Sequence, residues 1–403
     1  MLRTTVPQAV ETRAAPPARR TSRVRAIAGA VGLVLLLGAC FWVRGLLLRA
    51  DVANRDFVAY WTTGRLLALH QNPYDRAAIF QIEQSVHADL KAPFIMRNPP
   101  WALFLTVPLG WFDAPTAGLL WLIAVIAAWL GSLQLIRPPE LKPVPLILVF
   151  FAPVLICVET EQMSLFVLLA LALFARLSRQ RPFLAGLALS LLMLKPHLLV
   201  LVLLIAGLEI VRRRETGILT GFVTGFSVMN LVALALAHNI WHEYLASIAA
   251  ERVQDEFQPN LPNACRLLMG PAHVWPLFVP LAGAAAWVLW YWWRRREKWD
   301  WRERMPLIAA VSVLVAPYSW PYDQVLFWPA VLVSWRSASR AAKLALVLLN
   351  LSAIAVTLRA SKLGSPLYLW TGFAWMLWCL YVGWRGKSAS AGKPGAVPHA
   401  IGA

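Results

Sequence analysis

The chain has 403 residues, a net charge of +18 and a mean hydropathy of +0.59. Only 14% of its residues are Asp, Glu, Lys or Arg, against about 25% in a soluble domain that must wet its whole surface. This excludes a large soluble domain and makes lipid the expected solvent. The basic residues stand in short clusters beside apolar runs, the positive-inside pattern that orients membrane spans, and this argues against a nucleic-acid partner.

In chain order, residues 1–25 read as a disordered basic tail on the cytoplasmic side, with Arg19, Arg20, Arg23 and Arg25 at its end. The apolar run 26–43 follows without a small-residue cleavage site and reads as an uncleaved first span. Residues 51–98 are the longest polar stretch between apolar runs, and after an outward span they are expected outside, as a first periplasmic loop. Within that loop Phe57, Trp61, Gly64 and Ala68 recur at helical spacing, and 76–90 predicts a second amphipathic helix. Helices of this kind lie along a membrane interface.

Apolar stretches follow at 101–112, 116–136, 144–158, 165–177, 183–194, 198–211, 218–237, 275–293, 306–317, 325–335, 344–358 and 367–384. Several fall short of the ~20 residues that cross hydrocarbon unaided. Short, Pro-interrupted segments are tolerated where their backbone is buried in protein or lines a watery cavity. The clusters Arg176/Arg179/Arg181, Arg212–Arg214, Arg294–Arg296 and Arg336/Arg340/Lys343 predict cytoplasmic turns. The loops at 159–162, 195–197, 238–274 and 318–324 then face the same side as 51–98. Under that parity 101–112 and 116–136 cannot both cross, so the first is expected to be re-entrant. Residues 387–403 read as a disordered cytoplasmic tail, leaving 26–386 as one all-α polytopic membrane domain. Cys40, Cys157, Cys265 and Cys379 are far apart without CxxC spacing, so neither a disulfide framework nor a zinc site is expected.

Five polar constellations break the apolar pattern. Asp56, with Tyr60 and Trp61, is a carboxylate beside aromatics at a membrane surface, suited to taking a proton from a hydroxyl; from composition alone it reads first as a helix N-cap with an interfacial aromatic belt. Asn72-Pro73-Tyr74-Asp75 and Arg97-Asn98-Pro99-Pro100 read as a turn and a helix entry, although Arg97 also suits a lipid phosphate. Glu161 and Gln162 lie between two short spans, where polar groups need water or partners. Lys195-Pro196-His197 splits an apolar segment bounded by basic clusters; a cation at such a break suits a phosphate, or Lys195 snorkels to the interface. Tyr322 and Asp323, after Pro317-Tyr318-Ser319-Trp320-Pro321, combine aromatics suited to stacking on a sugar ring with a carboxylate suited to its hydroxyls; taken alone they read first as another interfacial aromatic belt.

Taken in order, these pieces resemble the polyprenol-phosphate-mannose-dependent mannosyltransferases of glycosyltransferase family 87, within the GT-C superfamily. The matching residues are Asp56-Phe57, Tyr60-Trp61, Asn72-Pro73-Tyr74-Asp75, Asn98-Pro99-Pro100, Glu161-Gln162, Arg181-Pro182, Ala185-Gly186, Leu194-Lys195-Pro196, Pro317-Tyr318 and Tyr322-Asp323. Glu161-Gln162 stands where the family commonly has Gly-Gln, Asn98 where it has Tyr, and Tyr322-Asp323 where many members carry paired histidines. These departures bear on sugar and acceptor specificity.

The resemblance implies a GT-C-type fold with about 11–13 transmembrane helices. It also implies transfer of a hexose, mannose first, from a polyprenyl-phosphate sugar to a lipid or glycan acceptor. That chemistry would run with inversion on the periplasmic side of a bacterial inner membrane, with both termini cytoplasmic. Asp56 would be the catalytic base. Lys195, Arg97 and His197 would bind the donor phosphate, and Tyr60, Trp61, Gln162, Glu161, Tyr322 and Asp323 the sugar or acceptor. No cofactor and no metal is implied, because a cation of the chain can neutralise a single phosphate. The rival readings are a transporter or lipid flippase of envelope glycoconjugates, which would carry polar residues at mid-span, and a non-catalytic scaffold.

Overall fold

The computed structural model describes residues 56–86, 90–137, 141, 144–251, 256–360 and 362–391, and every regular element among them is helical. The expected N-terminal tail and first span lie outside the described residues. So does the C-terminal tail from 392 onward, while the last helix continues to Ala391, past the expected boundary at 387.

The two helices expected after the first span are α1 (Phe57–Ala68) and α2 (Arg76–Val86). α1 lies almost wholly buried, and α2 buries only Ile79 and Glu83, which are four residues apart on one face. The stretch at 101–112 is not one continuous helix. It folds as two 3-10 segments, Pro100–Leu105 and Val107–Trp111, each opened by proline. The second packs against α1 so closely that a Cβ on Gly64 would lie 2.1 Å from the Thr106 carbonyl oxygen. A Cβ on Gly110 would lie 2.0 Å from the Gly64 carbonyl. Only glycine allows this backbone approach. Trp61 and Arg65 fasten it by donating to the carbonyls of Phe112 and Gly110, each at 3.0 Å.

Three helices are individually long and apolar enough to cross a membrane: α3 (Ala114–Ile136), α8 (Thr216–Leu236) and α14 (Arg340–Arg359). Much of their apolar surface is left uncovered by protein, for example Leu219, Val223, Val228 and Leu231 on α8 and Leu344, Leu348 and Leu351 on α14. In water that would be an unstable surface; in a bilayer it is the lipid face. The other helices are shorter: α4 (Ala152–Glu159), α5 (Ser164–Leu177), α6 (Pro182–Leu191), α7 (Val200–Arg213), α9 (Ile240–Ala250) and α10 (Leu261–Met269). They continue with α11 (Val279–Arg295), α12 (Trp301–Leu314) and α13 (Trp328–Ser337), and the last helix, α15 (Leu369–Ala391), is as long as α3 at 23 residues. α5 is apolar on most of its circumference and is the central helix, buried from Ser164 to Ala175 except at a few positions. α6 and α8 meet through Gly186 and Gly221, whose added Cβ atoms would strike the facing backbone at 2.1 and 2.0 Å.

The short helices arise because the chain breaks repeatedly, and side chains satisfy the backbone groups that each break frees. At Phe150–Phe151, Asn350 accepts from the Ala152 amide at 2.7 Å and donates to the Phe150 carbonyl at 3.0 Å. At the Lys195 break, Trp101 and Asn98 donate to the carbonyls of Met193 and Leu194 at 2.6 and 3.1 Å. Ser312 accepts from the amide of Leu201 at the start of α7. At the break between α4 and α5, Trp121 donates to the Glu161 carbonyl at 2.6 Å. Non-helical backbone satisfied in this way is tolerated at membrane depth where it lines a cavity.

Candidate active site

Two of these breaks, at Gln162 and at Lys195, together with the segment 318–322, the N-terminus of α1 and the strap 92–99, surround one cavity of about 510 Å³. Asp56 enters it from the N-cap position of α1, where its side chain makes no capping bond. Gln162 enters from the α4–α5 break. There Glu161 takes the left-handed conformation, φ 55°, that turns the chain back into α5. Lys195, Pro196 and His197 come from the α6–α7 break, Tyr318 and Trp320 from the segment leading into the 3-10 helix Pro321–Phe327, and Tyr322 from the first turn of that helix.

One hydrogen-bonded chain joins the deep side of this cavity. Gln162 donates through Nε2 to Asp56 Oδ2. Its Oε1 accepts from the Tyr60 hydroxyl at 3.0 Å and from Lys195 Nζ at 2.9 Å. Lys195 also reaches Ser164 Oγ at 3.0 Å and Asp323 Oδ1 at 2.8 Å, so all three of its N–H donors are engaged. Its ammonium lies 4.7 Å from the centre of the Tyr322 ring. Asp323 accepts further from Ser164 Oγ at 2.5 Å and from the Trp320 backbone amide at 2.9 Å. Burial lifts the Asp56 carboxyl above its ordinary range, and the Gln162 hydrogen bond and the Lys195 charge oppose that lift.

A second cation stands toward the outer side. Arg97 pairs with Glu256 through Nη1 at 2.7 Å and Nη2 at 2.5 Å, and with Glu251 through Nε at 3.1 Å and Nη2 at 2.9 Å. Its Nη1 also donates to Tyr318 at 3.3 Å, and its carbonyl accepts from Tyr244 at 3.2 Å. Glu256 is more than a third exposed, so this cation can change partners more readily than Lys195 can.

Of the residues expected at the site, Asp56, Tyr60, Arg97, Gln162, Lys195, His197 and Tyr322 all line the cavity. Three do not. Asp323 is 1% exposed and stands behind Lys195. Trp61 is buried against the 3-10 segments, where its indole N–H is spent on Phe112. Glu161 is 1% exposed and does not line the cavity. The three therefore stand beside or behind the cavity lining rather than on it.

His197 is corrected in charge rather than in place. Burial lowers its pKa to about 4, so its imidazole is neutral at pH 7. The sequence reading did not single out Ser164, Tyr244, Glu251 or Glu256. Ser164 follows two residues after Gln162 and carried no pattern. The glutamates lie in the long polar stretch 238–274, where a carboxylate reads as a solvated tip until the fold brings Arg97 to it. Among the described residues, no group of three His, Cys, Asp or Glu side chains gathers as a metal site.

No curated protein and no solved structure gives a significant match to the chain. The family description "glycosyltransferase family 87" matches residues 94–317, a stretch that runs from the strap and Arg97 through Gln162 and Lys195 to the end of the segment before Tyr318. More than half of the chain is covered, and the chain belongs to glycosyltransferase family 87.

Proposed function

We propose that this membrane glycosyltransferase moves a hexose, mannose first, from a polyprenyl-phosphate donor to a hydroxyl of a lipid or glycan acceptor, on the periplasmic side of the bacterial inner membrane. The observation that carries the reading is that a carboxylate freed from helix capping, Asp56, shares one cavity wall with two cations. Membership of a glycosyltransferase family favours the enzyme over the transporter and scaffold readings.

In this reading the acceptor oxygen attacks the anomeric carbon and its proton passes to Asp56. The bond from the anomeric carbon to the donor phosphate oxygen breaks, and the electron pair leaves on that oxygen with inversion. The polyprenyl phosphate gains charge as it departs and needs a cation near it. Arg97 suits that role best, because its planar fork matches phosphate oxygens and one of its two carboxylate partners, Glu256, is exposed enough to swing away. Lys195 is engaged on all three donors and contributes its charge from behind Gln162. Tyr60, Tyr322 and Trp320 offer aromatic faces and hydroxyls to the sugar.

The test uses the full chain in lipid vesicles with labelled polyprenyl-phosphate mannose, glucose and arabinose, and with the matching nucleotide sugars. Labelled glycolipid formed from a lipid-phosphate donor supports the reading. Transfer from nucleotide sugars alone contradicts it.

A further inference from the structure

We propose that Gln162 is a positioning residue that aims Asp56 at the acceptor, and that the task of Lys195 and Tyr60 is to lock the Gln162 amide in the required orientation. The inference rests on Asp56 being the base and assigns the group that prepares it.

A glutamine amide has a donor end and an acceptor end, and reversing it exchanges them. Here the acceptor end receives two donors, the Tyr60 hydroxyl at 3.0 Å and the Lys195 ammonium at 2.9 Å. Reversal would set the amide N–H₂ against an ammonium that has no acceptor to offer. The amino end is thereby forced onto Asp56 Oδ2. One carboxylate oxygen is held, which leaves the other for the acceptor hydroxyl.

Lys195 is itself held by Ser164 and Asp323, and Asp323 by the Trp320 amide, so orientation passes from backbone to base through a continuous chain of bonds. Gln162 is 4% exposed, so water competes little for these bonds. The left-handed turn at Glu161 is a conformation that non-glycine residues seldom adopt, and it is what points the next side chain into the cavity. The other charged or titratable groups acting on or with Asp56 are Lys195, Asp323, Arg97, Tyr60 and Tyr322.

The experiment is the pH profile of kcat, with donor KM, for the wild type, Gln162→Met and Gln162→Glu. Methionine keeps the length of the side chain and removes its donor. We expect kcat to fall about tenfold to a hundredfold, within the range for disturbed general-base catalysis, with donor KM within about twofold of wild type. The acid limb of the profile should move to higher pH, because the hydrogen bond that favoured the carboxylate is gone. Should the Met variant fail to fold, the near-isosteric Glu variant decides: a second carboxylate beside Asp56 moves the same limb upward. An unmoved limb in a folded variant overturns the proposal, as does a rise in KM with kcat unchanged, which would make Gln162 a substrate contact. Asp56→Asn separates the two levels. An active Asp56→Asn enzyme removes the base itself, whereas an inactive one beside an unmoved Gln162→Met limb removes only the positioning role.

Discussion

Glu83 offers a prediction that tests the packing around the cavity independently of catalysis. It lies on the buried face of α2, is 0% exposed, and accepts the Phe94 backbone amide on Oε2 at 2.9 Å, while Oε1 has no hydrogen-bond partner among the described residues. Phe94 belongs to the strap that lines the cavity, so this carboxyl ties α2 to the site wall. Burial raises its pKa from 4.5 to about 7. A folded pKa above the unfolded one means that the contribution to stability is full below pH 4.5 and is lost as pH rises through 7. The difference corresponds to about 3 kcal/mol once both states are ionised.

A glutamine at this position would keep the acceptor for Phe94 and carry no charge, so Glu83→Gln should match the wild type near pH 5. It should exceed the wild type by about 2–3 kcal/mol near pH 8.5. The assay is thermal unfolding in detergent micelles across that pH range, followed by tryptophan fluorescence. Parallel curves for the two proteins at every pH would refute the reasoning, because they would mean that Glu83 ionises in the fold without cost.

Two further outcomes follow from the same geometry. Gly64→Ala places a methyl group against the Thr106 carbonyl, which cannot move aside as a flexible side chain would; it should cost about 1–3 kcal/mol and lower transfer by displacing α1 and Asp56. Gly207→Ala, with nothing within 4 Å of the added atom, is the control and should leave apparent Tm unchanged or raised. Arg97→Lys loses the planar fork and should raise donor KM by about tenfold with little change in the pH profile; an unchanged donor KM would remove Arg97 from the phosphate site.

The periodicity of the sequence made the apolar helices legible, since 116–136, 165–177 and 218–237 lie within one or two residues of α3, α5 and α8. Hydropathy measures greasiness and not continuity, so it could not reveal that 144–158 is a single turn and a short helix parted at Phe150–Phe151, or that 101–112 is two 3-10 pieces. Among the described residues three helices are by themselves long and apolar enough to cross a membrane, and the all-helical architecture is that of a GT-C-type membrane protein.

At the site, Asp56, Gln162 and Lys195 were legible because polar residues interrupt apolar runs there, and such interruptions are costly. Their contacts with one another were not legible. That Lys195 faces Asp323 and Gln162, 128 and 33 residues away in sequence, depends on how separate helix breaks converge. Trp61 looked like a sugar platform because it neighbours Asp56 in sequence, yet at helical spacing it projects from another face, onto Phe112.

The central claim is that Asp56 takes the acceptor proton, and one variant tests it most directly. Asp56→Asn preserves shape and an oxygen but cannot accept a proton at neutral pH. Sugar transfer from labelled polyprenyl-phosphate mannose should fall by at least about a hundredfold, while insertion, apparent Tm and donor binding stay at wild-type levels. Transfer by the folded variant at the wild-type rate would contradict the account.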